Sequence, residues 1–237
     1  MKVLLTEHQL NTLLQEESVA RFLQESLQEI KNLKSLKKYI KNLILSGIAI
    51  STIIAAINKS DTSENEKREL INAAMSVSET EKTDTVFQQK VSAVKKYMEA
   101  ALKNQGYSLS STDLEPEALV KASIEKNFDL PFLMAVAHQE SCFGATPRAK
   151  RTNSVFSEGC WDNGTNKAIY SDPNESIYGY IDLMNRSYIV NGKSLLDLLA
   201  HGNFVNGIGK RYAKDVDYER KIKWLRNRII NKYPELA

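Results

Sequence analysis

Glycine and proline are scarce: 237 residues carry ten and five of them. That excludes collagen-like and low-complexity chains and argues against a turn-dense all-β fold. Cysteine is scarcer still, and Cys142 and Cys160 alone cannot build a zinc cage or a disulfide scaffold. His8, His138 and His201 are far apart and show no metal-ligand spacing, so neither a metal nor another cofactor is expected. Charge of one sign is missing too. Against 32 Lys+Arg stand 29 Asp+Glu, a net charge of +3, and no nucleic-acid partner is expected. A secretory leader is not expected either, because Glu7, His8 and Gln9 interrupt the opening apolar run.

What is present is helical periodicity in a chain that is 42% hydrophobic. Leu4, His8, Leu10 and Leu14 space out a first helix, and Leu33, Leu36, Ile40, Leu43 and Gly47 mark one face of the next. Leu43 to Ile57 lacks any charge and follows Lys34, Lys37, Lys38 and Lys41. It reads as a buried central helix, with a membrane-engaging helix over 39–57 or a subunit-packing helix as the rivals. Asp61 or Ser63 can cap a helix near 64–78, and the polar run SETEKTDT separates it from a helix near 85–104. Gly106 and the serines after Tyr107 then mark a boundary. Residues 1–106 form a helical region, and residues 107–237 a second domain expected to fold without it.

Within that second part the pattern predicts helices near 115–127, 130–141, 174–190, 194–200 and 215–232. Between Phe143 and Asp172, turn formers led by Asp162-Asn163-Gly164 predict a small β-hairpin lobe. The fold class is therefore mainly α with an α+β second domain and a cleft between its lobes.

The sharpest local feature is DLPFLMAVAHQESCFG, residues 129–144. Asp129 can cap the helix and Pro131 suits its first turn. Leu133, Val136 and Ala137 form an apolar face, and Glu140 projects from it at the last turn. A carboxylate there meets the negative end of the helix dipole and loses solvent, and both effects favour the protonated form. A protonated carboxyl is what protonates a leaving sugar oxygen. Cys142 and Cys160 are expected either as a disulfide between helix and lobe or as free thiols. A Cys nucleophile paired with His138 or His201 is a weak rival, because no third orienting group is evident.

The helix ending in Glu140-Ser141 and Phe143-Gly144 resembles the catalytic helix of bacterial cell-wall glucosaminidases, glycoside hydrolase family 73, within the lysozyme-like superfamily. Three further segments follow in the family's order over about 100 residues. Asn153-Ser154-Val155-Phe156 is similar to its Asn-Leu-Phe-Gly turn, with Ser157-Glu158 where a glycine and an apolar residue are usual. Tyr170-Ser171-Asp172-Pro173-Asn174-Glu175-Ser176 is similar to the segment before its next helix. Arg211-Tyr212-Ala213-Lys214-Asp215, with Tyr218 beyond, is similar to its Tyr-Ala-Thr-Asp-x-x-Tyr motif.

The resemblance implies a lysozyme-like domain that hydrolyses β-1,4 bonds of peptidoglycan, with Glu140 as general acid and Tyr212 supporting the reacting sugar. It implies substrate contacts from Asn153, Phe156, Tyr170 and Tyr218. Glu158, ranked first, Asp162 and Asp172 are open candidates for a second carboxylate, and assistance by the substrate's own N-acetyl group is a route without one. The Glu-Ser-aromatic pattern also shades towards lytic transglycosylases, whose Gly-Leu-Met-Gln segment is absent; a lytic transglycosylase or muramidase is the alternative activity. A non-catalytic injection or structural protein retaining the fold is the rival from another class. Without a leader or wall-binding repeats, the chain is expected in a bacteriophage virion or at the host envelope, with residues 1–58 meeting virion proteins or the membrane. Lys210 to Lys232 holds nine Lys/Arg and three acids, which suits a solvated helix or an anionic polymer.

Overall fold

The structure is a computed structural model that describes residues 38, 40–42, 44, 50–59, 63–160 and 169–237. The first helix around Leu4 to Leu14, most of the 33–47 face, and the Asp162-Asn163-Gly164 turn lie outside the described residues. The chain forms two compact units, Met1–Val86 and Phe87–Ala237.

In the first unit α1 covers Ile50–Lys59, and α2 begins at Glu64. Ile40, Ile44, Ile53, Ile57, Leu70 and Ala74 are buried. No helix among the described residues is long and apolar enough to cross a membrane. Ser63 starts α2 with a reciprocal cap. Its hydroxyl donates to Glu66 at 2.7 Å and accepts the Glu66 N–H, while its own N–H donates to the Glu66 carboxylate at 3.1 Å.

α2 then runs unbroken from Glu64 to Asn104, 41 residues, through the polar stretch expected to separate two helices. That stretch contains neither glycine nor proline, and polarity alone does not break a helix. Thr83 satisfies its hydroxyl within the helix, donating to the Glu79 carbonyl at 2.9 Å.

The second unit is helical, and the described residues hold no strand, only an isolated bridge between Val205 and Arg211. It contains the last part of α2, then α3 (Pro116–Glu125), α4 (Leu130–Ser141), α5 (Pro147–Thr152), α6 (Glu175–Leu183), α7 (Leu195–Leu198) and α8 (Tyr218–Lys232). A π turn over Met184–Tyr188 extends α6. Where the glycine- and asparagine-rich stretch predicts a hairpin lobe, the described residues form α5 and irregular turns. Thr146-Pro147 explains α5: the threonine hydroxyl accepts the Ala149 N–H at 3.4 Å and proline occupies the first turn.

The core is built around α4, whose residues Leu130 to Ala137 are all buried. α8 packs on it through Ile222, Leu225 and Ile229, and α3 through Leu119, Val120 and Ala122. Asp129 caps α4, accepting the Phe132 N–H at 2.7 Å, and also accepts Arg226 of α8 at 2.6 Å. One carboxylate thus closes a helix and holds its neighbour.

The same core takes in Ala93, Val94, Tyr97, Met98, Ala101 and Leu102 of α2. The unit therefore starts at Phe87, not at the expected 106/107 break, because the preceding helix supplies core rather than linker. Val94, Tyr97, Met98 and Leu102 bury large side chains worth about 1.5–3 kcal/mol each. Their sum is comparable with the whole stability of a domain, about 5–15 kcal/mol. A fragment of residues 87–237 is expected to unfold cooperatively in thermal circular dichroism. A 107–237 fragment is expected to show no cooperative transition, and an equally sharp one would place the α2 residues outside the essential core.

Candidate active site

α4 delivers Glu140 to the end of the core. Its last turn closes on three successive left-handed residues, Cys142 (φ 49°), Phe143 (φ 58°) and Gly144 (φ 83°). The Cys142 and Phe143 N–H groups donate back to the His138 and Ala137 carbonyls, satisfying the helix end. The left-handed region costs a side chain about 1–2 kcal/mol, and Phe143 accepts it while its ring is fully buried. Ser141 then ties the turn to the loop after α5. Its hydroxyl donates to the Val155 carbonyl at 2.6 Å and accepts the Gly144 N–H at 2.8 Å. The Val155 N–H in turn donates to Ser176 of α6 at 3.3 Å.

The Glu140 carboxyl is half-buried, and its Oε1 accepts the Tyr218 hydroxyl at 2.6 Å. Burial raises its pKa above the usual glutamate range. The Tyr218 and Ser157 hydroxyls and the Arg148 charge pull the other way and do not overcome it. Ser157 reaches the carboxyl from a left-handed backbone, φ 56°. Strain of this kind persists where the surroundings hold it, and it clusters at working sites.

Glu140 opens into a cleft of about 480 Å³ shared with Arg148, Ser157, Glu158, Tyr188 and Tyr212. Glu158 is held by Tyr170, whose hydroxyl donates to Oε2 at 2.5 Å. Burial first and the Glu158 carboxylate second raise the Tyr170 pKa, so this hydroxyl stays a donor. Tyr170 needs Gly179 beneath it, because a Cβ there would lie 2.2 Å from its hydroxyl oxygen.

The two tyrosines have separate tasks. Tyr218 contacts the acid, whereas the Tyr212 hydroxyl donates to the Phe156 carbonyl at 3.0 Å while the residue lines the cleft. Phe204 packs edge-on to Tyr212, with centroids 4.8 Å apart. Arg211 and the buried Glu219 fix this segment to α8 by contacts of 2.8 and 3.0 Å, and Glu219 also accepts the Phe204 N–H.

Of the residues expected to contact substrate, Phe156 is fully buried and stacked on Tyr180 at 4.4 Å, so its ring cannot reach a ligand. Asn153 spends its amide on the Tyr170 and Ser171 carbonyls, at 2.9 and 3.1 Å. Both build the site rather than line it, because the loop after α5 turns these side chains inward. Tyr170 and Tyr218 act on the two carboxylates.

Among the candidates for a second carboxylate, Glu158 shares the Glu140 cleft. Asp172 instead accepts the Asn174 N–H at 2.7 Å in the turn before α6, and Asp162 lies outside the described residues. Cys142 and Cys160 are free thiols. Cys142 faces the Ala101 carbonyl, and Cys160 lies 3.6 Å from the Thr152 hydroxyl. His138 Nδ1 is 2.8 Å from the Tyr97 hydroxyl and His201 is exposed, so neither forms a Cys–His pair.

Arg148, Ser157 and Tyr188 were not legible as site residues. Thr146-Pro147 could have revealed the short helix that carries Arg148, but no local signal marks the other two. Among the described residues no cluster of His, Cys, Asp and Glu could hold a metal ion.

The chain matches no protein-family model, no curated protein and no solved structure.

The Glu140 shift has a consequence for stability. A carboxyl whose folded pKa is raised contributes most below its unfolded pKa, and that contribution fades as pH rises through the folded pKa. Glu140→Gln removes the cost of burying an ionised group, so at pH 7 the variant is expected to be at least as stable as the parent in urea unfolding. The difference should shrink towards pH 4. A variant clearly less stable at pH 7 would mean that the ionised carboxylate is well compensated.

Proposed function

We propose that the second unit is a lysozyme-like glycoside hydrolase that cleaves β-1,4 bonds of bacterial peptidoglycan, with Glu140 as general acid. The observation that carries this reading is a half-buried carboxyl, its pKa raised by burial, lining one cleft with a second carboxylate. An acid of this kind can protonate the departing sugar oxygen, and a second carboxylate can activate water or stabilise the oxocarbenium-like transition state. Glu158, held by Tyr170, is the residue for that second role. Tyr218 orients the acid, and its hydroxyl donates to the Glu140 carboxylate that is left negative after proton transfer. The ring of Tyr212 forms part of the wall against which a sugar would lie.

Ser157, one of the positions where the chain departs from the glucosaminidase pattern, reaches the Glu140 carboxyl from a left-handed backbone of the kind glycine takes without strain. The bond on the reducing side of N-acetylglucosamine is the proposed point of cleavage. Docking to a phage particle or the host envelope would fall to residues 1–58.

Glu140→Gln is expected to reduce clearing of a peptidoglycan suspension by about 10²–10⁴-fold, and Glu158→Gln by at least about tenfold. Mass spectrometry of the released fragments separates glucosaminidase, muramidase and anhydro-forming products. A Glu140→Gln protein that still clears within a few fold of the parent would remove this residue from the mechanism.

A general acid works only while protonated, so activity should fall as pH rises through the Glu140 pKa, with its midpoint above the ordinary glutamic acid range. The Tyr218 hydrogen bond favours the ionised form. Tyr218→Phe should therefore move this alkaline limb to higher pH, read from the pH dependence of kcat/KM. A shift to lower pH would contradict the assignment.

A further inference from the structure

α8 buries Ile222, Leu225 and Ile229 and turns a different face to water. That face carries Lys223, Trp224, Asn227, Arg228, Asn231 and Lys232, all exposed. The Trp224 side chain is 57% exposed, although burying an aromatic of this size is among the largest single gains open to a fold. One turn on, Arg228 lies over the indole, 5.2 Å from the ring centroid. Trp224, Asn227, Arg228, Asn231 and Lys232 wall a shallow depression of about 560 Å³.

The charge of this face is one-sided. From Arg220 to Lys232 the sequence has six Lys/Arg and no acid. Carboxylates from outside that run pair with three of them: Asp217 with Arg220, Asp215 with Lys221, and Asp129 with Arg226. Among the described residues, no carboxylate forms an ion pair with Lys223, Arg228 or Lys232.

We propose that this face of α8 is a second glycan-binding surface that holds an anionic polysaccharide strand of the bacterial wall away from the cleft. The inference rests on the reading of the cleft as a peptidoglycan hydrolase. The indole offers a flat apolar ring for one face of a sugar. The Asn227 and Asn231 amides, one turn apart, can both donate to and accept from hydroxyl and acetamido groups. Arg228 and Lys232 supply positive charge for carboxylates along the strand.

The depression itself places only two cations, Arg228 and Lys232, around an indole and two amides, which suits a sugar chain better than the purely basic cluster that reads as recognition of an anionic bilayer. One ring beside two amides likewise differs from the successive stacking platforms of single-stranded nucleic acid. The geometry suits the proposed catalysis as well. α8 begins at Tyr218, which holds Glu140, and Trp224 follows about 9 Å along the same helix. A strand held there would raise the effective concentration of its neighbouring segments at the cleft without adding chemistry.

The test is retention of the full chain on insoluble purified peptidoglycan, with Glu140→Gln present so that the strand is not cut. In that background Trp224→Ala, and separately Arg228→Gln with Lys232→Gln, should weaken retention about tenfold. Trp224→Phe, which keeps a ring, should recover part of the loss. Double-stranded DNA and anionic phospholipid vesicles serve as parallel probes. With Glu140 intact, the same α8 substitutions should leave cleavage of short soluble glycan fragments unchanged.

Unchanged retention would overturn the proposal. So would loss confined to DNA or vesicles, or a loss that follows charge alone and ignores Trp224. If the parent cleaves nothing yet retention depends on Trp224 and Arg228, the surface stands and the hydrolase reading falls. If it cleaves and retention ignores α8, the reverse holds.

Discussion

Burial of α4 on every side governs the chemistry of the second unit. A helix with eight consecutive buried residues, Leu130 to Ala137, has no solvent face for whatever follows, so Glu140 emerges where water reaches it only in part. Desolvation then favours the neutral carboxyl, and the helix end works in the same direction. The rest of the site consists of groups that moderate this effect. Tyr218, Ser157 and Arg148 each favour the ionised form, but they do not overcome burial, and the pKa stays above the usual glutamate range.

Holding such a group requires rigidity, and the structure obtains it from a few buried polar contacts. The Ser141 hydroxyl joins the end of α4 to Val155, and Val155 is joined to Ser176 of α6. On the other side of the cleft, Arg211 and Glu219 hold the Tyr212 segment against α8. Leaving a buried carboxylate unpaired costs about 3–5 kcal/mol, so this contact acts as a clamp more than as a source of net stability. The same contacts sustain left-handed backbone at Cys142, Phe143, Asn153 and Ser157, four non-glycine residues in the turns around Glu140. Strain of this order is tolerated because each turn is anchored at both ends.

Tyr170 shows how small residues serve the same end. Its ring lies where Gly179 has no side chain, and its hydroxyl reaches Glu158 from there. The glycine is required for its missing Cβ, since it sits inside α6, where glycine otherwise weakens a helix. Phe156 and Asn153 play comparable parts. One stacks in the core and offers its carbonyl to Tyr212, and the other closes the turn on the Tyr170 backbone.

The sequence by itself determined the local elements. Asp129 and Pro131 announce the start of α4, Glu140 its last turn, and the spacing of Ile222, Leu225 and Ile229 the buried face of α8. Each signal is carried by residues within a few positions of one another, so periodicity and capping rules suffice to read it. Tertiary structure decided what those rules do not reach. Tyr218 and Glu140 are 78 residues apart, and no local pattern distinguishes the tyrosine that meets the acid from Tyr212, which meets a carbonyl. The continuity of α2 and the inclusion of its final turns in the second core likewise escaped local reading. A polar, glycine-free stretch is indifferent between helix and loop, and the core that takes in Tyr97, Met98 and Leu102 is built from residues far from them in sequence.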